Sequence, residues 1–313
     1  MNTLPLLVLA TAVATASFAA GPGVDHHQHL LTAEMAAEGQ KPIDAAAMIA
    51  LLDEAGIERA VLLSNAYRYA DYAKAKAEND WTAQEAAKHP RRLVAFCGFN
   101  PLADYALEEL ARCAAHERFG RGIKLQFGMS AVNLADPAHV TQVKKVFSAA
   151  NERGLAIVVH MRGRRAHPYG AAQARTFIDE LLAAAPDVTV QVAHFAGGGA
   201  THDPPSDEAL ATFIAAIARR DPRVRNLYFD LALVAPADLA PERTQFVVKA
   251  IRDIGVSRLV YGSDGGDPTD PPPRAMLEAF RKLPLTDAEF RAIEGNLAPY
   301  VHCPVKSACF GGR

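Results

Sequence analysis

Two histidines near the start of the chain, His27 and His29, stand two residues apart in the segment from Val24 to Leu30. The segment has the pattern of a short strand, and successive side chains of a strand point to opposite faces, so both histidines share one face. Two imidazoles side by side at the end of a strand form half of a metal site. The alternative is a chance pair of surface histidines.

Three later predicted strands each end in a residue that can bind a metal ion: His160, His194 and Asp264. One histidine at a strand end would be ordinary, but ligands at four different strand ends are hard to explain structurally. Imidazole and carboxylate groups suit Zn²⁺, and Mn²⁺ or Fe²⁺ also accepts nitrogen and oxygen ligands. The pattern therefore predicts a site for a divalent metal, with zinc favoured.

Predicted strands and helices alternate along the chain after residue 22. The predicted strands are Gly23–His29, Arg59–Ser64, Leu93–Asn100, Gly122–Phe127, Ala156–His160, Thr189–His194, Asn226–Leu231 and Leu259–Ser263. Their ends recur at roughly 34-residue intervals, a normal size for one βα unit. Eight such units predict an α/β fold, a (β/α)8 TIM barrel that forms a single domain over residues 21–313. An open doubly wound sheet is the alternative, but no glycine-rich phosphate loop follows the first strand.

Functional residues of such barrels gather at the carboxyl ends of the strands. Besides the candidate ligands, these ends carry Asn65, Asn100, Lys124, Gln126 and Asp230. The sequence therefore places several acid-base and hydrogen-bonding groups around the predicted metal site.

The composition argues against two classes of protein. The chain has 313 residues, half of them hydrophobic, and a formal net charge of -2, so it offers no clustered basic face for a nucleic acid. No internal apolar run approaches the roughly 20 residues that span a bilayer. We expect a small-molecule substrate as the partner, and a homo-oligomer stays open.

The first 20 residues differ from the rest of the chain. Residues 4–20 are almost wholly apolar and end in Ser17, Phe18, Ala19 and Ala20. An apolar stretch with an Ala-x-Ala-like end is typical of a cleaved secretory signal peptide, here over residues 1–20, although no Lys or Arg precedes it. An extra N-terminal helix is the alternative. The signal peptide predicts a periplasmic or secreted protein.

Four cysteines follow, and an even number permits disulfides in an oxidising compartment. Cys303 and Cys309 lie close together in a tail rich in turn-forming residues, which favours a bridge between them. Cys97 lies in a predicted strand and Cys113 in the helix that follows. For that pair, a bridge and two free buried thiols are equally open.

The ordered motifs resemble the amidohydrolase superfamily, and in particular the amidohydrolase 2 branch related to aminocarboxymuconate semialdehyde decarboxylase. The resemblance spans about residues 23 to 301. It rests on Asp25-x-His27-x-His29, on His160, on His194 with Phe195-Ala196-Gly197-Gly198, and on Gly262-Ser263-Asp264. It implies a barrel of the metal-dependent hydrolase type.

The resemblance also implies a role for each matched residue. His27, His29 and His160 correspond to metal ligands. Asp264 corresponds to a residue that contacts the metal or its water and accepts a proton. His194 corresponds to a second catalytic histidine, which orients or polarises the substrate carbonyl, or to a further ligand.

Two residues keep alternative interpretations. In some superfamily members a lysine on the fourth strand is carboxylated and bridges two metals, whereas in single-metal relatives it contacts the substrate or an acidic neighbour; Lys124 occupies such a strand. We expect one metal, with two as the alternative. Asp25 shares the face of His27 and His29, where it either accepts a hydrogen bond from a histidine or is a buried structural residue.

Cationic and aromatic residues follow two of the predicted strands. Tyr67 and Arg68 lie in the loop after the second strand, and Arg162 lies beside His160 in the loop after the fifth. A guanidinium can clamp a carboxylate, although a solvated basic loop is the alternative for Arg162. With Lys124, these residues predict binding of a small anionic or aromatic substrate.

Three functions follow from the residues and the resemblance. The first is an amidohydrolase-related hydrolase that uses a metal-activated water to cleave an amide, lactone or ester bond. The second is a metal-dependent, non-oxidative decarboxylase of an aromatic or unsaturated carboxylic acid, and the third is a metal-containing binding protein. His194 and Asp264 argue against the third, because binding alone needs no proton acceptor. Decarboxylase relatives act mostly in the cytoplasm, so the signal peptide favours hydrolysis.

Overall fold

Eight parallel strands lie side by side in chain order in the computed structural model, which describes residues 21–162, 167–197, 203–266 and 270–301. The strands are β1 Val24–Gln28, β2 Arg59–Leu63, β3 Leu93–Gly98, β4 Phe119–Gln126, β5 Ala156–His160, β6 Val190–Val192, β7 Leu227–Asp230 and β8 Leu259–Val260. The predicted signal peptide, Cys303 and Cys309 lie outside the described residues.

Backbone hydrogen bonds join the first strand to the segment that follows the last one. The N–H of His26 donates to the carbonyl of Tyr261 at 2.9 Å, and the N–H of Asp264 donates to the carbonyl of His27 at 2.9 Å. These two bonds bring the edges of the sheet together, and the (β/α)8 barrel is confirmed.

Helices follow the strands and cover the outside of the barrel. They are α1 Ala45–Ala55, α2 Tyr72–Ala87, α3 Ala106–Ala115, α4 Pro137–Glu152, α5 Ala171–Thr176, α6 Pro204–Ala218, α7 Pro241–Ile254, α8 Pro273–Phe280 and α9 Asp287–Gly295. Several begin at a side chain that caps a free backbone N–H, as Asp44 does for α1 and Asp71 for α2. Among the described residues, no helix combines the length and apolar character needed to cross a bilayer.

The lower half of the barrel interior is apolar. Inward-facing side chains of several strands, such as Val61, Phe96 and Val158, pack there against Tyr300 from the C-terminal segment. Gly122 makes room for Phe96, because a Cβ at this position would lie 2.1 Å from the phenyl ring. This packed floor lies below the polar residues at the carboxyl ends of the strands.

A disulfide joins Cys97 of β3 to Cys113 of α3, with their Cα atoms 6.2 Å apart. Both residues are buried. Of the two interpretations that the sequence leaves open for this pair, the structure has the bridge.

Candidate active site

Residues from seven of the eight βα units meet in one cavity of about 150 Å³ at the carboxyl ends of the strands. The predicted site residues that line it are His27, His29, Tyr67, Arg68, Lys124, His160, His194 and Asp264. Other residues of the wall are Leu30, Leu31, Asn65, Gln126, Met129, Leu233, Gly266 and Asp270. The cavity thus unites residues that are more than 200 positions apart in the sequence.

The carboxylate of Asp264 faces three histidines. Its Oδ1 lies 3.7 Å from Nε2 of His27 and 3.6 Å from Nε2 of His29, and its Oδ2 lies 3.7 Å from Nε2 of His194. Ligand atoms placed tetrahedrally about 2.1 Å from a zinc ion lie about 3.4 Å apart. The spacing of His27, His29 and Asp264 therefore fits one divalent ion.

Each of these three histidines is held through its other ring nitrogen. Nδ1 of His29 donates to the carbonyl of Leu63 at 2.6 Å, and Nδ1 of His194 donates to the carbonyl of Ala232 at 2.9 Å. Nδ1 of His27 contacts the carboxylate of Asp230 at 3.0 Å and is therefore also the protonated nitrogen. All three Nε2 atoms are therefore unprotonated and face the cavity, where Nε2 of His27 accepts a hydrogen bond from Lys124. Such outer contacts fix the tautomer of a ligating histidine.

The histidines of the site are neutral at pH 7. Burial lowers the pKa of His27 to about 3 and lowers the pKa of His29 and His194 below its ordinary value. His160 lies with its ring 5.0 Å from that of His194, and burial lowers its pKa too. Neutral imidazole is the form that binds a metal.

Asp230 is a site residue whose role the sequence did not reveal, beyond its place at a strand end. Its side chain is fully buried, and it accepts hydrogen bonds from His27 Nδ1, from Gln191 Nε2 and from the backbone N–H of His194. Burial opposes ionisation, but the contacts with His27 and His194 more than offset it and hold the pKa of Asp230 well below its ordinary value. The ionised carboxylate orients the first metal ligand.

His194 and Asp264 both lie in left-handed backbone conformation, with φ of 54° and 59°. This region is uncommon for residues other than glycine and costs of order 1–3 kcal/mol where the surroundings enforce it. Here the N–H of His194 is held by Asp230 and the N–H of Asp264 by the carbonyl of His27. Both predicted catalytic residues thus have a strained backbone, as does Leu233 in the cavity wall, with φ of 55°.

Lys124 lies at the base of the cavity as a buried ammonium group. Its Nζ is 2.9 Å from Nε2 of His27, and burial lowers its pKa to about 8. Nζ of a lysine only donates hydrogen bonds, so this contact agrees with an unprotonated Nε2 on His27. Burial also raises the pKa of Asp264 well above its ordinary value, and the Lys124 ammonium opposes that rise.

The loop after β2 forms part of the mouth of the cavity. The hydroxyl of Tyr67 donates to Oδ1 of Asn65 at 2.9 Å, and Nδ2 of Asn65 donates to the carbonyl of Leu30 at 2.9 Å. Arg68 is exposed to solvent at the rim. Tyr67 and Arg68 therefore both line the cavity, and their contact with a substrate stays a prediction.

Two residues discussed from the sequence lie elsewhere. Arg162 forms an ion pair with Asp203 at 2.5 Å and lies over the ring of Tyr169, outside the described wall of the cavity. Asp25 accepts hydrogen bonds from the backbone of His27 and from the backbone and hydroxyl of Ser263. Asp25 thus joins β1 to the segment after β8, which supports the structural interpretation, and the role of Arg162 in substrate binding stays a prediction.

A comparison with known protein families identifies the family of this chain. The model of a family described as amidohydrolase matches residues 24–296. The chain belongs to this amidohydrolase family. A search among curated proteins finds no match.

Solved structures with the same fold include both decarboxylases and hydrolases. The 2,6-dihydroxybenzoate decarboxylase from Rhizobium has a TM-score of 0.60 and 19% identity, with 91% of this chain and 98% of that chain covered. A probable 2-pyrone-4,6-dicarboxylic acid hydrolase from Acinetobacter baumannii has a TM-score of 0.58 and 15% identity, with 90% of this chain and 98% of that chain covered. An amidohydrolase from Burkholderia multivorans with bound zinc has a TM-score of 0.60 and 15% identity, with 88% of this chain and 96% of that chain covered. This amidohydrolase is therefore an enzyme of a metal-dependent family, and at these identities the likeness concerns the fold.

We predict that Asp230→Asn weakens metal binding about 10- to 100-fold, the range seen when an outer partner of a ligating histidine is lost. An amide presents one nitrogen where the carboxylate has two acceptor oxygens, so either the His27 side or the His194 side loses its acceptor. Equilibrium dialysis with Zn²⁺ measures the change. The matched control is Asp238→Asn, an exposed carboxylate, and a folded Asp230→Asn protein with wild-type affinity would contradict the assignment.

Proposed function

We propose that this amidohydrolase is a metal-dependent hydrolase of a small, anionic substrate with an amide, lactone or ester bond. The position of Asp264 carries the proposal. One of its oxygens faces His27 and His29, and the other faces His194. A single carboxylate can therefore contact a metal ion and exchange a proton with a second group beside it.

The residues present assign each part of the reaction. His27, His29 and Asp264 would hold the metal, with His160 beside them. A bound divalent cation supplies a Lewis acid and brings the pKa of water towards about 7. Asp264 would take a proton from the attacking water and return it to the leaving group, because its second oxygen faces His194 and not the other two ligands.

His194 has a restricted role in this scheme. Its Nδ1–H is bound to the carbonyl of Ala232, so Nε2 faces the cavity as an acceptor. In this state it accepts a proton or binds the metal. It can donate a hydrogen bond to a substrate carbonyl only after Nε2 has been protonated, and Asp264 Oδ2 lies 3.7 Å away as a proton source.

The cavity limits the substrate to a small molecule. Its volume of about 150 Å³ compares with cavities of about 150 Å³ that accept a benzene ring. Arg68 at the mouth and Lys124 at the base are cations that can pair with an anionic group of the substrate. A single ring or short chain with one carboxylate fits these features.

Non-oxidative decarboxylation is the second candidate, and Lys124 is the observation that favours it. Its ammonium lies beside the metal ligand His27, so a substrate carboxylate could be held next to the metal. The 2,6-dihydroxybenzoate decarboxylase shares this fold. The same ligands serve both reactions, and the substrate decides between them.

We predict turnover of lactones, esters or N-acyl amino acids without release of CO₂. A screen of these compounds against aromatic acids, with CO₂ detection, separates the two reactions. Asp264→Asn should lower turnover about 10²- to 10⁴-fold by removing the proton acceptor. It should retain most of the metal on His27, His29 and His160, and Asp238→Asn is the control. CO₂ release from an aromatic acid, or full turnover by Asp264→Asn, would contradict the hydrolase scheme.

We predict about one metal ion per chain, because the ligand atoms of His27, His29 and Asp264 are spaced for a single ion. Metal analysis with and without added bicarbonate measures the count. Lys124→Met should keep it and tighten Zn²⁺ binding, since a neighbouring ammonium repels a cation; Lys282→Met is the surface control. Two ions in the wild type that fall to one in Lys124→Met would instead indicate a bridging, carboxylated lysine.

We also propose that the protein is periplasmic or secreted. The apolar N-terminal segment and the Cys97–Cys113 bridge support this, because disulfides persist in oxidising compartments. Mass spectrometry of the exported protein should find a mature N-terminus near residue 21 and linked Cys97 and Cys113 peptides. A full-length protein retained in the cytoplasm, with both thiols alkylated, would contradict this localisation.

A further inference from the structure

A continuous row of buried hydrogen bonds runs from the metal ligand His27 down the barrel axis. His27 Nδ1 contacts Asp230 Oδ2 at 3.0 Å, and Gln191 Nε2 donates to the same oxygen at 2.7 Å. The hydroxyl of Tyr300 in turn donates to Oε1 of Gln191. His27, Asp230 and Gln191 are completely buried, and Tyr300 is 6% exposed.

Tyr300 belongs to the C-terminal segment and fills the floor of the barrel. It lies in the short turn Pro299–Val301 that follows α9. Its ring packs against Phe96 of β3, with the centroids 5.1 Å apart, and lies edge-on to His26 at 6.1 Å. The preceding residue, Ala298, donates its backbone N–H to Nε2 of His26. Tyr300 is thus fixed from three sides beneath the site.

The hydrogen-bond donors and acceptors of this row allow only one orientation of the Gln191 side-chain amide. The ionised carboxylate of Asp230 accepts hydrogen bonds and cannot donate them, so the amide nitrogen of Gln191 must face it. The amide oxygen then faces Tyr300, whose hydroxyl supplies the donor. With both sides of the amide engaged, Asp230 Oδ2 stays directed at His27 Nδ1. Nε2 of His27 then stays unprotonated on the side that faces Lys124 and Asp264.

We propose that Tyr300 and Gln191 are positioning residues for the metal site, which fix the tautomer and orientation of His27 through Asp230. The row continues from the site to a residue near the C-terminal end of the described chain. Metal affinity then depends on the docking of the C-terminal segment in the barrel. The metal part of this proposal rests on the proposed function, whereas the tautomer part does not.

The test is Tyr300→Phe, which leaves Gln191 Oε1 without its donor and lets the amide rotate. The matched control is Tyr261→Phe, since the Tyr261 hydroxyl is also buried but has no hydrogen-bond partner among the described residues. We expect the Kd for Zn²⁺ to rise about 3- to 10-fold in Tyr300→Phe, less than for a direct partner of the ligand. Tyr261→Phe should keep the wild-type Kd.

¹⁵N NMR of the metal-free protein provides the readout that a merely structural role would not change. Wild type and Tyr261→Phe should show His27 protonated on Nδ1. Tyr300→Phe should show a mixture of the two His27 tautomers, while the rest of its spectrum matches that of the wild type. Gln191→Met removes the same link while keeping the Tyr300 ring in the floor, and it should give the same mixture if Tyr300→Phe fails to fold.

The outcomes separate the two proposals. An unchanged His27 tautomer in both folded variants would overturn the positioning role. If wild-type protein binds no Zn²⁺, the proposed function fails, and the tautomer of His27 alone decides the positioning role.

Discussion

The buried carboxylate of Asp230 is the interaction on which the rest of the site depends. It accepts hydrogen bonds from the His27 ring, the Gln191 amide and the backbone N–H groups of His194 and Ala232. A buried charge without partners costs several kcal/mol, so the fold is stable only if these donors stay in place. They come from β1, β6 and the segments that follow β6 and β7. One charge therefore fixes the relative positions of the strand ends that carry His27, a predicted metal ligand, and His194, a predicted catalytic residue.

The shortness of β6 and β8 has a related cause. The sequence predicts strands over Thr189–His194 and Leu259–Ser263, but regular pairing ends at Val192 and Val260. After these points the chain turns into the left-handed conformation at His194 and Asp264. The turn brings the His194 ring within 4.8 Å of the His27 ring. A hydrophobic pattern records which residues are buried, and it contains no sign of this change in φ, so the prediction extended both strands too far.

The parts of the site that depend on local geometry could be predicted from the sequence. His27 and His29 share a face because the side chains of a strand alternate, and the barrel then places the other strand ends around them. The partners of the side chains could not be predicted in this way. Asp230 was visible only as a strand-end residue, since its contact with His27 spans 203 positions and requires the closed barrel. Arg162 looked available for a substrate because its pairing with Asp203, 41 positions away, is likewise a result of folding.

The placement of the two cations bears on the choice between hydrolysis and decarboxylation. A carboxylate that pairs with Lys124 lies against the metal ligand His27, where loss of CO₂ would occur; one that pairs with Arg68 leaves the ligands facing another bond of the substrate. The charge of the Lys124 ammonium is already partly neutralised by the nearby Asp264, which raises the pKa of Lys124 against the effect of burial. Arg68 is exposed, and its buried neighbour Glu78, whose pKa burial raises to about 7, neutralises it only in part. The more available cation therefore lies at the mouth, and this placement agrees with the proposed hydrolysis.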